Sequence, residues 1–206
     1  MAMITKARHA VRQTLRSLNP GDQVLVAVSG GADSLLLAYC LNLEGAKESL
    51  RISAVVIDHQ LQERSGEIAE QTKIRLHKMG ISAVEVIKVD VLKKDGLEAD
   101  ARSARYAALT LAAKKNNAVA IFLGHNQDDL AESVLLGLTQ GAGTKSLAGM
   151  ATQSGLYIRP FLSLTREEIN AVFLSKRCST DKTASVPLCS SPPSHVSTES
   201  IVALGK

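Results

Sequence analysis

Short apolar runs alternate along this chain with stretches in which apolar residues recur at the spacing of an α-helix. A repeat of strand and helix at intervals of about 30 residues is typical of βαβ units and therefore of a mainly parallel sheet. The pattern predicts a doubly wound α/β domain with a five-stranded sheet. The predicted strands are Gln23–Val28, Ile52–Asp58, Val84–Val89, Val119–Gly124 and Leu156–Arg159, and the predicted helices are Ala32–Leu43, Ser65–Met79, Leu97–Lys115, Asp128–Leu138 and Thr165–Leu174.

The segment before Asp22 carries several basic side chains and no acidic one. Such a composition occurs in organellar transit peptides. Apolar residues nevertheless fall on one helical face of this segment, which favours a helix packed beside the first strand. These apolar residues are Ile4, Ala7, Val11, Leu15 and Leu18.

The character of the chain changes at its C-terminal end. The segment from Ala171 to Lys206 holds 11 Ser or Thr residues and three of the five prolines, and no apolar period continues through it. A segment of this composition cannot bury enough apolar surface to fold by itself. We therefore expect one catalytic domain over residues 1–174 and a disordered or non-native tail over residues 175–206.

Composition adds three constraints. The net charge of +4 is compatible with a polyanionic partner such as RNA, although it is also common in proteins that bind none. The longest apolar run, Leu35–Leu43, is too short to cross a bilayer, so no membrane association is expected. The three cysteines form no CxxC pair, which indicates neither a disulfide framework nor a metal knuckle. A reducing cytoplasm is the expected compartment.

The segment Ser29-Gly30-Gly31-Ala32-Asp33-Ser34 lies where the first predicted strand turns into a helix. Glycines let the backbone approach an anion closely, and the amides at a helix start point towards it. The serine hydroxyls add hydrogen-bond donors. Asp33 would repel a bare phosphate, but it fits the site if Mg²⁺ lies between them. The alternative is a glycine turn whose Asp or Ser caps the helix; the strand–loop–helix context favours a nucleotide site.

Charged side chains follow the fourth strand and lie on the long helix before it. Asp128, Asp129 and Glu132 share one side of a helix, which suits a second magnesium contact or the ammonium of a lysine substrate. A solvated helix N-terminus would also favour these acids. His125 is a candidate to contact phosphate or a reacting oxygen, or to cap the helix. Arg105 is a candidate to bind phosphate or RNA, or to face solvent.

Several segments are similar to known families. The Ser29–Ser34 string resembles the SGGxDS motif of the PP-loop ATP pyrophosphatases, which cleave ATP between the α- and β-phosphates; it is neither a Walker A motif nor GxGxxG. Other segments resemble the tRNA(Ile)-lysidine synthetase family, in that family's order, over about residues 20–172. These segments are Val55–His59, Leu97–Tyr106, Gly124–Ser133, Gly141–Met150 and Ile158–Ile169.

The resemblance implies a ligase that uses ATP and Mg²⁺. Its substrates would be a tRNA(Ile) with a CAU anticodon and free L-lysine. The wobble cytidine would be adenylated with release of pyrophosphate, and the ε-amine of lysine would then displace AMP to give lysidine.

The same resemblance implies roles for individual residues. Mg²⁺ would lie on Asp33, and the Ser29–Ser34 string would bind ATP together with Asp58 and His59. Catalysis would depend on Asp33, Arg105, His125, Asp128, Asp129 and Glu132.

Two alternatives to the lysidine synthetase activity stay open. One is a PP-loop thiolase that acts on tRNA, although such enzymes usually carry paired cysteines. The other is a truncated remnant that binds nucleotide or RNA without turnover.

Overall fold

The computed structural model describes residues 2–58, 60, 64–89, 97–139 and 150–180. The helices are α1 (Ala2–Leu15), α2 (Ala32–Lys47), α3 (Ser65–Lys78), α4 (Leu97–Lys115), α5 (Gln127–Thr139) and α6 (Arg166–Thr180), with a 3₁₀ turn at Pro160–Ser163. The strands are β1 (Gln23–Val28), β2 (Arg51–Asp58), β3 (Ala83–Lys88), β4 (Ala120–Phe122), β5 (Gln153–Ser154) and β6 (Tyr157–Ile158).

The strands form one sheet in the order β3-β2-β1-β4-β6-β5. Every neighbouring pair is parallel except β5 and β6, which run antiparallel. The predicted class, a doubly wound and mainly parallel α/β fold, is confirmed. The predicted count of five strands is wrong, because the structure adds the edge strand β5. Its two residues, Gln153 and Ser154, are polar and exposed, so they give no strand signal in the sequence.

The direction of chain winding reverses beside β1. From β1 the chain passes to β2 and β3 on one side, and it later places β4 on the other side of β1. The pairing of Val26 with Phe122 aligns the carboxyl ends of β1 and β4. Open α/β sheets bind ligands in the crevice at such a switch point. The loop that begins at Ser29 and the loop that contains Gly124 both open into this crevice.

Alternate side chains of β1 enter cores on opposite faces of the sheet. Val24, Val26 and Val28 join a core formed with α1, α2, α3 and α6, whereas Leu25 packs in a second core with α4. Burial on both faces explains why the strand reads as a nearly continuous apolar run rather than an alternating one.

The N-terminal helix α1 packs through the predicted apolar face, on which Ala7, Val11 and Leu15 are buried. Its buried residues share the core that contains Val24, Val26 and Val28 of β1, and its most extensive contacts are with α2, α6 and the 3₁₀ turn. On α2, the buried carboxylate of Glu44 accepts a hydrogen bond from Arg8 of α1 at 2.6 Å.

The last helix, α6, runs to Thr180. Residues 175–180, which the sequence pattern placed in the tail, therefore continue this helix, and the boundary at residue 175 stays a prediction. His59, residues 141–149 and residues 181–206 lie outside the described part of the chain. No helix within the described ranges is long and apolar enough to cross a bilayer.

Candidate active site

The loop between β1 and α2 has a shape that requires glycine at one position. Gly30 has a φ of +89°, and a Cβ there would lie 2.7 Å from Thr72 Oγ1 on α3. Gly31 precedes α2 with an ordinary φ of −73°, and no side chain caps the helix. The alternative of an Asp- or Ser-capped turn therefore does not hold. The first amides of α2 are left for an external acceptor, which is the arrangement that binds anions.

The two serines of the loop have different environments. Ser34 is buried, and its Oγ donates to the carbonyl of Gly31 at 3.0 Å while accepting the amide of Ser29 at 3.2 Å. Its hydroxyl therefore holds the loop in shape. Ser29 is exposed, with its Oγ 3.3 Å from that of Ser34, so its hydroxyl is accessible to a ligand.

Gly124 allows the end of β4 to lie directly against this loop. A Cβ at Gly124 would be 3.0 Å from both the Cα and the N of Ser34, and 3.2 Å from the carbonyl carbon of Asp33. These are backbone atoms, which cannot rotate away as a side chain can. A larger residue would push the start of α2 away from β4, so the width of the crevice depends on this glycine.

Asp33, the second residue of α2, holds a buried carboxylate oxygen, Oδ1, that finds no hydrogen-bond partner in the described part of the protein. Burial, followed by the nearby carboxylate of Asp129, raises the pKa of Asp33, whereas Arg166 and the side-chain amide of Asn126 act in the opposite direction. The amide nitrogen of Asn126 is close to Asp33 but does not reach hydrogen-bond geometry with it. A buried acceptor without a donor suits a cation.

No group of three or more His, Cys, Asp or Glu side chains among the described residues is placed to hold a metal ion. An ion on Asp33 would therefore take further ligands from phosphate and water. Mg²⁺ commonly binds in this way, through one or two carboxylates and substrate phosphates. The donor set around Asp33 fits Mg²⁺.

Asn126 caps helix α5. Its Oδ1 accepts the amides of Asp128 at 2.8 Å and Asp129 at 3.0 Å, and Asp129 Oδ2 accepts the amide of Asn126 at 2.9 Å. This reciprocal pair is a capping box. The capping role considered for His125 therefore belongs to Asn126, a residue to which the sequence analysis gave no role.

Arg166, at the start of α6, engages the acidic cluster of Asp128, Asp129 and Glu132. Its guanidinium lies 2.8 Å from Asp129 Oδ1 and 3.9 Å from Glu132 Oε1, and its backbone amide donates to Asp128 Oδ2 at 2.7 Å. Asp128 and Asp129 thus stabilise the N-termini of α6 and α5, and their catalytic roles stay predictions. Glu132 is 65% exposed and has the longest of these contacts, so it is the acid most accessible to a ligand.

Arg105, His125 and Arg159 form a basic pocket beside the acidic cluster. Burial, followed by the positive charges of Arg105 and Arg159, lowers the pKa of His125 to about 4, so its ring is neutral at pH 7. Burial also lowers the pKa of Arg105. Its guanidinium lies 5.7 Å from the ring centre of Tyr106, so the alternative of a solvent-facing Arg105 does not hold.

The crevice thus brings together the phosphate loop with Asp33, the acidic cluster and the basic pocket. Asp58 is buried at the end of β2, where its Oδ1 accepts the amide of Gln60 at 2.9 Å and shapes the turn. Sequence reasoning assigned no role to Arg159 or Arg166. Arg159 follows the short strand β6 and Arg166 begins α6, but one sequence gives no sign of the partner that each would meet.

The sequence matches the PP-loop domain family over residues 3–184, and the chain belongs to that family. Within it, the matched region is homologous to tRNA(Ile)-lysidine synthases. It is 47% identical over 167 residues to the enzyme of Thermobifida fusca, covering 81% of this chain and 52% of that protein. It is 49% identical over 147 residues to that of Streptomyces coelicolor, covering 70% and 42%. The chain spans about half the length of these curated relatives.

Solved structures with low sequence identity share the fold. A U34-tRNA thiolase, NcsA from Methanococcus maripaludis with its [4Fe-4S] cluster, superposes with a TM-score of 0.73 at 20% identity, covering 91% of this chain and 69% of the thiolase. A glutamine-dependent NAD⁺ synthetase from Acinetobacter baumannii in complex with ADP gives 0.55 at 19% identity, covering 90% and 34%. At these identities the likeness establishes the architecture alone.

Proposed function

We propose that this chain carries the ATP-dependent activity of a tRNA(Ile)-lysidine synthetase, which joins L-lysine to the wobble cytidine of a tRNA(Ile) with a CAU anticodon. One observation carries the proposal. The Ser29–Ser34 loop, the unpartnered carboxylate oxygen of Asp33 and the acidic start of α5 lie at one crevice between β1 and β4. An element that suits a nucleotide and an element that suits an amine are therefore neighbours.

The phosphate loop is the part of the chain that would hold ATP. The first amides of α2 and the hydroxyl of Ser29 would donate to phosphate oxygens. Asp33 would hold Mg²⁺, which would neutralise negative charge on the phosphates. The close approach of Gly124 to Ser34 would place the end of β4 next to the reacting phosphate.

The acceptor chemistry explains why ATP is needed. The carbonyl oxygen on carbon 2 of the cytosine base is a poor leaving group until it has attacked the α-phosphate of ATP and released pyrophosphate. The ε-amine of lysine then displaces AMP at that carbon. Glu132 would hold the lysine ammonium, which must lose a proton before its nitrogen can attack.

Pyrophosphate release from ATP tests the proposal. We expect release to require a tRNA(Ile) transcript with a CAU anticodon, and lysine incorporation to fail when the wobble cytidine is replaced by uridine. Asp33→Ala should abolish release, whereas Asp22→Ala, which removes a carboxylate at the amino end of β1 and so at the far end of that strand from the crevice, should not. Normal turnover by Asp33→Ala would contradict the assigned role of the phosphate loop.

The folding of Asp33→Ala provides the necessary control. Because burial and Asp129 disfavour the ionised Asp33, its removal should leave the thermal unfolding temperature unchanged or higher. Glu132→Gln should weaken lysine use more than ATP use. If it weakened ATP use alone, Glu132 would be part of the metal site and not of a lysine site.

A further inference from the structure

Five buried side-chain atoms lack a hydrogen-bond partner in the described part of the chain, and all five are on residues of the crevice. They are Asp33 Oδ1, Arg105 Nε, His125 Nδ1, Asn126 Nδ2 and Arg159 Nε. Buried polar groups in folded proteins are almost always paired, so a cluster of exceptions calls for a ligand. Three of the five belong to the basic pocket.

Arg159 is the most deeply buried cation of that pocket, with only 7% of its surface exposed. Its Nη1 donates to the carbonyl of Ala151 at 3.0 Å and its Nη2 points to Tyr106 Oη at 3.5 Å, but its Nε has no acceptor. Neither Arg159 nor Arg105 forms an ion pair with a described carboxylate, and the nearby Asp129 is paired with Arg166 instead. A buried cation without a counter-charge is costly unless an anion arrives.

The pocket is separate from the phosphate loop. The loop follows β1, whereas Arg159 follows β6, which lies two strands away in the sheet. At about 4.8 Å between neighbouring strands, the ends of β1 and β6 are about 10 Å apart, and His125 lies between them because it follows β4. A phosphate group bound by the Nε of Arg159 is therefore not the one held by the first amides of α2.

We propose that Arg159, together with Arg105 and His125, forms a second oxyanion site that binds a phosphate group distinct from the one held by the Ser29–Ser34 loop. Two guanidinium groups with free Nε donors suit the oxygens of a phosphate better than a single carboxylate. The inference rests on the proposed function for the origin of that phosphate, which is either the triphosphate of ATP or the backbone of the RNA acceptor.

The test compares Arg159→Met with Arg51→Met on the full chain. Arg51 lies at the amino end of β2, away from the crevice, and it also donates to one backbone carbonyl, that of Gly21 at 3.0 Å. The probes are inorganic pyrophosphate and a short RNA that contains the CAU anticodon, each titrated by calorimetry. Arg159→Met should weaken binding of one probe about 10- to 100-fold, the range for hydrogen bonds to charged groups. Arg51→Met should weaken neither to that extent.

Weaker pyrophosphate binding would assign the pocket to the nucleotide, and weaker RNA binding would assign it to the acceptor strand. Unchanged binding of both probes would overturn the inference. Thermal unfolding separates a ligand site from a structural role. Removal of an unpaired buried cation should not lower the unfolding temperature of Arg159→Met, and a clear loss of stability together with intact binding would mean that Arg159 supports the fold only.

The ring of His125 supplies an independent signal. It faces Arg105 and Arg102 on α4, Arg159 after β6 and Asp129 on α5. A phosphate bound to the guanidinium groups would offset their charge, so NMR should show the pKa of His125 rising from about 4 when pyrophosphate or RNA is added. If the wild-type chain failed to bind ATP, the proposed function would be contradicted. If the wild type bound ATP but the pKa of His125 responded to neither probe, this inference alone would be contradicted.

Discussion

Glu44→Gln tests how strongly charge holds the phosphate-binding helix in place. The side chain of Glu44 is only 1% exposed on α2, and its carboxylate accepts hydrogen bonds from Arg8 at 2.6 Å, Arg12 at 3.0 Å and Lys47 at 3.1 Å. Burial alone would raise the pKa of Glu44. The three hydrogen bonds outweigh it and lower the pKa from 4.5 to about 2.

The size of the effect follows from that pKa. Each tenfold change in proton affinity corresponds to about 1.4 kcal/mol. The ionised carboxylate therefore stabilises the folded state by at most about 3 kcal/mol relative to a free glutamate, because solvent screens its partly exposed partners. Arg8 and Arg12 are partly exposed and stay hydrated when their partner is lost, so we expect Glu44→Gln to lower the free energy of unfolding by about 2 to 3 kcal/mol.

Urea unfolding as a function of pH is the assay. A lowered pKa means that the stabilisation is complete above the unfolded value near 4.5 and is lost as the pH falls towards 2. The difference between the wild type and Glu44→Gln should therefore be largest at neutral pH and shrink across that range. Glu67→Gln is the matched control, because its partner Arg64 is 80% exposed and such pairs contribute at most about 1 kcal/mol. Equal losses in the two variants, or a difference independent of pH, would refute the reasoning.

Three further substitutions probe the crevice. Gly124→Ala should displace the start of α2 by a few tenths of an ångström and weaken ATP binding, as measured by calorimetry, whereas Gly66→Ala, whose Cβ meets its nearest atom at 3.8 Å, should not. Gly30→Ala should lower the unfolding temperature, since it combines a positive φ with a contact of 2.7 Å to Thr72; equal stability would contradict the loop geometry. Arg166→Ala should tighten lysine binding about two- to fivefold by removing a positive charge 3.9 Å from Glu132, and weaker binding would show that Arg166 supports the site.

The regular elements were predictable because their signals are local. The bounds of β1 and α4 match the prediction, since one strand is buried on both faces and one helix is rich in alanine and leucine. The phosphate loop was predictable for the same reason, because strand, glycines and helix are contiguous. The absence of a side-chain cap on α2 could not be predicted, because Asp or Ser at the start of a helix can either bind a ligand or cap the helix.

The charged contacts of the site could not be predicted from the sequence. Arg166 meets Asp129 across 37 positions, and Arg159 meets Tyr106 across 53. Such pairings depend on how the chain brings β6 and α6 back to the crevice. The hydrophobic pattern of one sequence does not show which distant elements come together. The direction of the Arg105 side chain was ambiguous in the same way. An arginine on an Ala-rich helix is expected to face solvent unless the position of a neighbour such as Tyr106 is known.

The central position of β1 has a consequence for synthesis on the ribosome. Val24 pairs with Ile52 on one side and with Ala120 on the other, so β1 has no partner on its second side until β4 has been synthesised. Until Phe122 has left the exit tunnel, one edge of β1 is open, and unpaired strand edges invite aggregation. The crevice lacks one wall in that interval, because Gly124 and the end of β4 are not yet beside Ser34. We therefore expect ATP binding to begin only after β4 has joined β1, so that the onset of binding can be used to follow closure of the sheet during translation.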